Sequence, residues 1–280
     1  MKLPSFFQFT IDDHGVPILP DPQDSSVQIW HDYHGKKCAY GYESNGDYWL
    51  HFPYIASYRI GRTTNRISAY PEPWSNRNRI QDIYTRIVQP IALHTRGTQV
   101  LHASAVFTDY GVAAFCAMSG TGKSTIAYAL SQRGYEQWAD DALPFEVTGG
   151  SAHALPFEFK RRIDSDAKNY LGSDSSIVKH HQEDARPVPI SVLFVLHRKN
   201  DGEGREFQVQ QLSESQAFRS VLLHAHFFNL TSKEPTKHMV STYMKLTSLV
   251  PVFEIHFQPD FEKLPILLDQ IERTLRQRAL

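Results

Sequence analysis

The sequence predicts an α/β protein with a β-rich N-terminal part, on three observations. The run "FCAMSGTGKSTIAYAL", residues 115 to 130, reads as a strand, a glycine-rich turn and a helix. The run "ISVLFVL" is continuously apolar, as in a strand buried on both faces. Ahead of both, apolar residues alternate between about residue 26 and 70, which reads as a β-meander.

In that meander Cys38, Tyr40 and Tyr42 are followed by Tyr48, Leu50 and Phe52, with Asn45-Gly46 as the turn between them. "SYRIGRTTNRISAY" reads as a second hairpin whose Arg59, Arg62 and Arg66 are expected to solubilise the strands. Ile80, Ile83, Tyr84, Ile87 and Val88 then recur at helical spacing, with Pro90 expected to disturb the helix and Gly97 to permit its end. A domain boundary is placed here, giving a β-rich domain over residues 1–97 and a second domain over 98–280.

The second domain opens with "TQVLHASAVF", a turn at Asp109 to Gly111, and "VAAFCAM", read as two neighbouring strands. After the glycine-rich turn, Ile126, Ala127 and Leu130 keep helical spacing up to Gly134. "EQWADDALPFEV" reads as one short strand with two acids, and residues 160 to 188 as a polar, interrupted connection containing His180 and His181. Helices are expected around 214 to 227 and 260 to 278, the second with Leu264, Leu267, Leu268, Ile271 and Leu275 on one stripe, and "VPVFEIHF" as a strand between them.

Composition excludes several classes. The chain has 280 residues, 41% hydrophobic, and its 29 Lys and Arg nearly balance 30 Asp and Glu, so no global field recruits nucleic acid or an anionic membrane. The N-terminal apolar run is too short for a signal peptide and no stretch reaches the length of a membrane span, which suggests a cytoplasmic protein. Cys38 and Cys116 lack metal-ligand spacing and are expected as buried thiols. His224 and His226, at i and i+2, do not share a helical face and read as core or helix-end histidines.

The glycine-rich turn departs from the pattern G-x-x-x-x-G-K-[ST] at its first position, where the chain has Ala117. A methyl group is tolerable there if φ is negative, whereas Gly120 and Gly122 lie where the backbone must bend unusually. Ser119, Gly120, Thr121, Gly122, Lys123, Ser124 and Thr125 are therefore candidate nucleotide-binding residues, with Lys123 reaching the β and γ phosphates and Ser124 offering its hydroxyl to Mg²⁺. A GTPase is disfavoured, because "DDHG" precedes the loop and no NKxD follows it.

Two further features lie at fixed distances from Ser124. His102 in "LHASAV" is 22 residues before it, on what reads as the strand beside the loop strand, and Asp140 and Asp141 in "RGYEQWADD" follow by 16 and 17. With "GTGKS", these residues resemble the HPr kinase/phosphorylase family across about residues 98 to 144, most of all the divergent HPr-kinase-like proteins, some encoded with lasso peptides. The resemblance implies a P-loop kinase core related to the phosphoenolpyruvate carboxykinases, ATP and Mg²⁺ as cofactors, and transfer to a serine hydroxyl of a peptide or small protein. By the same resemblance Lys123 is the phosphate lysine, Ser124 a metal ligand, Asp141 the acid that takes the serine proton and His102 its assistant. Asp140 is a second acid that serves as catalytic or metal-facing group. Neighbours on an extended strand point to opposite faces, so Asp140 and Asp141 serve one site only if the strand ends or bends there.

The family's glutamate-bearing segment has no clear copy, although "PFEFKRR" at 156 to 162 holds Glu158, Lys160 and Arg161 in that region. Nor is its protein-capturing loop recognisable, which argues for an acceptor other than HPr. Two alternatives stand beside the serine kinase: a small-molecule or sugar kinase, and a regulatory protein that binds ATP without transferring it.

Overall fold

The structure is a computed structural model. It describes residues 7–13, 15, 19–21, 23–24, 26–31, 35–161, 165–172, 177–178, 186–199, 207–226 and 233–277. His180 and His181 lie outside the described residues. The fold is mixed α/β and divides into two units, one of residues 1–97 with 227–237, the other of residues 98–226 with 238–280.

The first unit holds a six-stranded sheet built from β1 (Gln8–Ile11), β2 (Gln28–His31), β3 (Lys37–Ser44), β4 (Asp47–Phe52), β5 (Ala56–Ile60) and β6 (Arg66–Pro71), in the order β1-β6-β5-β4-β3-β2. Asn45 and Gly46 both take positive φ, 52° and 78°, and so form the tight turn that joins β3 to β4. Arg59 pairs with Asp47 at 2.6 Å and Arg62 with Glu43 at 3.8 Å, so two of the hairpin arginines are spent on surface ion pairs. Cys38 is exposed, contrary to expectation. The β2–β3 register passes from Trp30↔Ala39 to His31↔Lys37, which leaves Cys38 as the extra residue of a bulge, outside the alternation that would have buried it.

Helix α1 (Arg77–Ile83) continues through a π-helical segment, Tyr84–Val88, into α2 (Gln89–His94). Pro90 does not end the helix. It lacks an N–H and its ring crowds the preceding turn, and the wider π segment just before it absorbs both demands, with Gln89 N–H reaching back to the Tyr84 carbonyl. The Tyr58 hydroxyl donates to the Ile80 carbonyl at 2.8 Å, tying this helix to its sheet.

The second unit contains β7 (Gln99–Leu101), β8 (Ala103–Thr108), β9 (Gly111–Cys116), α3 (Lys123–Gln132), β10 (Glu136–Ala139), β11 (Leu143–Thr148), β12 (Ser151–Ala154), β13 (Phe159–Lys160), α4 (Ser165–Leu171), β14 (Ile177–Val178), β15 (Val188–Arg198), β16 (Phe207–Gln211), α5 (Glu214–Leu222), α6 (Lys233–Leu249) from His238 onward, β17 (Val252–Phe257) and α7 (Leu264–Arg276). The long β15 is the spine. It runs parallel to β9 on one side and to β17 on the other, and its first residues pair with β12, from which the sheet continues to β11 and β7. Alternate residues of these strands face two cores. Ala114, Cys116, Leu193 and Val195 pack with Val221 of α5 and Tyr243 of α6. Phe115, Phe194 and Ile255 pack with Ile126 of α3 and Ile271 of α7. Helices thus cover both faces of a largely parallel centre, as continuous apolar strands require.

Three expectations need correction. "TQVLHASAVF" is two strands: β7 pairs with β11, β8 with β9 and β10, and His102 stands at the break where the chain changes partners. "EQWADDALPFEV" is likewise two strands, β10 and β11, separated by Asp140 and Asp141. The helix expected at 214 to 227 ends at Leu222, and α6 follows, a helix that the sequence reading missed because its buried Met239, Tyr243 and Leu246 are thinly spaced among Thr, Ser and Lys. Among the described residues no helix is long and apolar enough to cross a membrane.

Candidate functional site

Each part of the site sits where a strand ends. The chain leaves β9 at Cys116, turns through residues 117–122 and enters α3 at Lys123. Gly120 has φ of 82° and Gly122, the residue before the helix, φ of 115°, backbone that only glycine adopts without strain. Ala117 is not among the residues with positive φ, so its methyl group costs the turn nothing. The amides at the start of α3 carry the partial positive charge of a helix N-terminus.

Lys123 is 5% exposed, and its ammonium donates to the Ala117 carbonyl at 3.0 Å and to His102 Nε2 at 3.1 Å. An ammonium only donates, so His102 Nε2 must carry the lone pair and Nδ1 the proton. That proton goes to the backbone carbonyl of Asp141, 3.0 Å away. Burial, reinforced by the charge on Lys123, pushes the His102 pKa down to about 4, so the ring is neutral at pH 7. Burial also lowers the Lys123 pKa, against the opposing pull of Asp141, Cys116 and Asp140.

The paired acids stand where β10 has already ended. Asp140 is 5% exposed, and its Oδ1 accepts two hydroxyl protons, one from Ser124 and one from Ser104, each at 2.7 Å. Asp141 has φ of 64°, a left-handed conformation that reverses the chain immediately after Asp140. This is the bend that two neighbouring acids need in order to serve one site. The strained peptide is held from two directions, since the Asp141 carbonyl accepts from His102 Nδ1 and from His226 Nε2, the latter at 3.3 Å. The two imidazole rings meet edge to face with centroids 5.5 Å apart. His102 therefore touches the backbone of Asp141 and the ammonium of Lys123, a positioning role toward the acid.

His226 and Ser104 were not read as site residues. Ala225 forms a bridge with Leu101, and His102 N–H donates to the His224 carbonyl at 2.7 Å, so the segment after α5 is extended against β7. His224, buried in the turn that ends α5, is the helix-end histidine expected, whereas His226 lies beyond that turn, where helical spacing does not apply. His224 is buried too, and burial pushes its pKa down to about 4. Ser104 lies two residues after His102 in "LHASAV", and that alternation is the sequence signal for it. Of the residues near 156 to 162, Arg161 donates to Gln137 of β10 at 2.9 Å.

A pocket of about 380 Å³ opens on the other side of the turn, where Gly120, Thr121 and Gly122 meet Phe257, Phe261 and Arg198. Arg198 Nε donates to the Thr121 carbonyl at 3.1 Å, fixing the tip of the turn from the end of β15. Ser119 and Thr125 complete the turn and the first helical residues. The structure thus brings Lys123, Ser124, Asp140, Asp141 and His102 together from three separate segments.

The site suits hard cations and anions. A hydroxyl and a carboxylate oxygen, Ser124 Oγ and Asp140 Oδ1, are the ligand types that Mg²⁺ takes, and a buried ammonium at a helix N-terminus is matched to phosphate oxygens.

No family model matches the chain. No curated protein matches it. Among solved structures it is similar to the Hpr(Ser) kinase/phosphatase from Coxiella burnetii, at 14% identity and a TM-score of 0.35, over 65% of this chain and 98% of that one.

Proposed function

We propose that the second unit is an ATP- and Mg²⁺-dependent kinase that phosphorylates a serine hydroxyl of a peptide or small protein. The observation that carries this reading is the convergence of a buried lysine, a serine–aspartate oxygen pair and a second aspartate on a strained, doubly held bend around one glycine-rich turn. Two of the three Lys123 donors are committed to Ala117 and His102, which aims the ammonium and leaves one N–H for phosphate. Ser124 and Asp140 would hold Mg²⁺, which would neutralise charge on the phosphates. The pocket beside Gly120 to Gly122, with Phe257 and Phe261 in its wall, offers an aromatic seat for the purine base.

Asp141 takes the acceptor's proton. A serine hydroxyl is a weak nucleophile, and a carboxylate within hydrogen-bond reach accepts its proton as the oxygen attacks the γ-phosphorus. The new bond joins the serine oxygen to phosphorus, the bond to the bridging oxygen breaks, and ADP leaves. His102, neutral and tied to Lys123 and to the Asp141 carbonyl, keeps the phosphate side and the acceptor side in fixed relation.

The test is to incubate the full chain with ATP, Mg²⁺ and a panel of serine-containing peptides, HPr, sugars and nucleosides, and to look by mass spectrometry for one added phosphoryl group. Transfer to a peptide or to HPr supports the reading, and the choice between those two identifies the acceptor. Transfer to a sugar or nucleoside alone replaces it with a small-molecule kinase. ATP-dependent stabilisation with no transfer to any acceptor makes the chain a nucleotide-binding regulator.

A further inference from the structure

A second cluster lies on the same sheet and takes no part in the site above. β15 and β17 run parallel in a register that sets His197 opposite His256 and Val195 opposite Glu254. Strand alternation puts Glu254 and His256, two residues apart, on one face, and the cross-strand pairing adds His197 to it. The two imidazoles stack with centroids 4.8 Å apart and planes 16° from parallel. Between them the Glu254 carboxylate turns one oxygen to each ring: Oε1 lies 2.8 Å from His197 Nε2 and Oε2 lies 3.1 Å from His256 Nε2. One ligand atom from each of the three residues lies within 4.8 Å of the others.

Two features distinguish this from an ordinary surface ion pair. The His197 Nε2 atom is shielded from solvent although the side chain as a whole is 42% exposed, and it meets a Glu254 oxygen 2.8 Å away at an angle poor for a hydrogen bond. A close but poorly directed contact of this kind is one that a metal ion between the two groups would satisfy better. The second feature is location. The cluster stands at the carboxyl ends of the parallel strands β15 and β17, the edge at which open α/β sheets bind ligands. On the neighbouring β16, Gln208 pairs with His256 and Gln210 with Glu254, so the open side is flanked by exposed amides.

We propose that His197, Glu254 and His256 form a binding site for a divalent first-row transition metal, of the zinc class. Two imidazoles and one carboxylate are the donors that Zn²⁺, Co²⁺, Ni²⁺ and Fe²⁺ accept, whereas Mg²⁺ prefers the all-oxygen set at Ser124 and Asp140. Three protein ligands leave at least one position for water or another group. The metal would bridge the ends of β15 and β17, and the residue after His197 is Arg198, which holds the Thr121 carbonyl of the phosphate turn.

The experiment uses untagged, chelator-stripped full-length protein, titrated with Co²⁺ and followed by visible absorption, then with Zn²⁺ by competition. Wild type is expected to bind one Co²⁺ saturably, with d–d bands typical of nitrogen and oxygen donors. His197→Ala, His256→Ala and Glu254→Gln should each weaken binding by at least about tenfold. Glu254→Gln keeps the side chain's shape and serves as the deciding variant if a histidine variant does not fold. Ser124→Ala and His226→Gln should leave the titration unchanged. The proposal is overturned if wild type shows no saturable binding, if Glu254→Gln and His256→Ala bind as wild type does, or if Ser124→Ala or His226→Gln abolishes binding. The outcome does not depend on whether the chain is a kinase.

Discussion

On one side of the glycine-rich turn, Lys123, Ser104 and Asp140 are almost fully buried and hydrogen-bonded to one another or to their immediate neighbours. On the other, Gly120, Thr121 and Gly122 border an open pocket with Phe257 and Phe261 in its wall. The first side commits polar groups to fixed partners before any ligand arrives, as preorganised catalysis demands. The second sets the rings of Phe257 and Phe261 among polar groups held at its rim, Arg198 on the Thr121 carbonyl and Lys263 on Gln258, a lining suited to a flat ring with polar edges. If this division is right, substitutions on the polar side should alter chemistry and metal dependence, and those on the pocket side should alter nucleotide affinity alone.

The largest expected effect is at Asp141. Asp141→Asn removes the base while keeping a residue that tolerates φ of 64°, so transfer should fall by about 10² to 10⁴ with nucleotide affinity little changed. Single-turnover phosphorylation alongside a nucleotide-binding titration checks this. A wild-type rate in this variant would remove Asp141 from the chemistry and leave Asp140 as the candidate base. Lys123→Ala comes next. ATP and Mg²⁺ at a hundred times the dissociation constant should stabilise wild type by about 2.7 kcal/mol, seen as a rise in melting temperature, and the variant should lose most of that rise. An equal rise in both proteins would place the nucleotide elsewhere.

A third prediction concerns pH and sets the polar side against the rest of the molecule. His102 and His224, with pKa values pushed down to about 4 by burial, bind a proton more readily in the unfolded chain, where the ordinary value is 6.5. The unfolded state therefore binds more protons between these values, and stability falls as pH drops from about 6.5 toward 4. Lys123 and His226 face His102 and act in the same direction by disfavouring its charge. Nucleotide-free protein should lose roughly 1 to 2 kcal/mol per histidine between pH 7 and pH 5. His224→Gln should flatten the dependence, and melting curves that stay level from pH 7 to pH 5 would mean that these rings are solvated.

How far the sequence disclosed this site follows from what each feature depends on. The turn was readable because its glycines, lysine and serine are consecutive, and so was the stripe Leu264, Leu267, Leu268, Ile271 and Leu275 of α7, which is buried as expected. Features that depend on strand register were not readable. The exposure of Cys38 follows from a bulge, and the meeting of His197 with Glu254 and His256 follows from the pairing of β15 with β17, segments far apart in the chain. The bend at Asp140 and Asp141 lies between these cases. Its necessity was deducible from strand alternation, but its means, a left-handed aspartate held by two histidines, required the segment after α5 to be in place.

The smallest effect is expected at Ser104, and it tests the division most finely. Its hydroxyl is fully buried and donates to the same Asp140 oxygen as Ser124 does, each at 2.7 Å. Ser104→Ala removes one of two hydroxyl donors to that oxygen and leaves the other, so the stability cost should be modest, on the order of 1 kcal/mol. If Ser104 helps aim Asp140 at a metal, the variant should need several-fold more Mg²⁺ for half-maximal transfer, while nucleotide binding without Mg²⁺ stays at the wild-type level. A merely structural hydroxyl would lower the melting temperature and leave the Mg²⁺ requirement unchanged. Phe257→Ala provides the opposing measurement from the pocket side: it should weaken nucleotide binding with and without Mg²⁺ alike, because an aromatic wall does not sense the metal. Should Ser104→Ala and Phe257→Ala show the same pattern, the two sides of the turn would not be the separate chemical and binding surfaces inferred here.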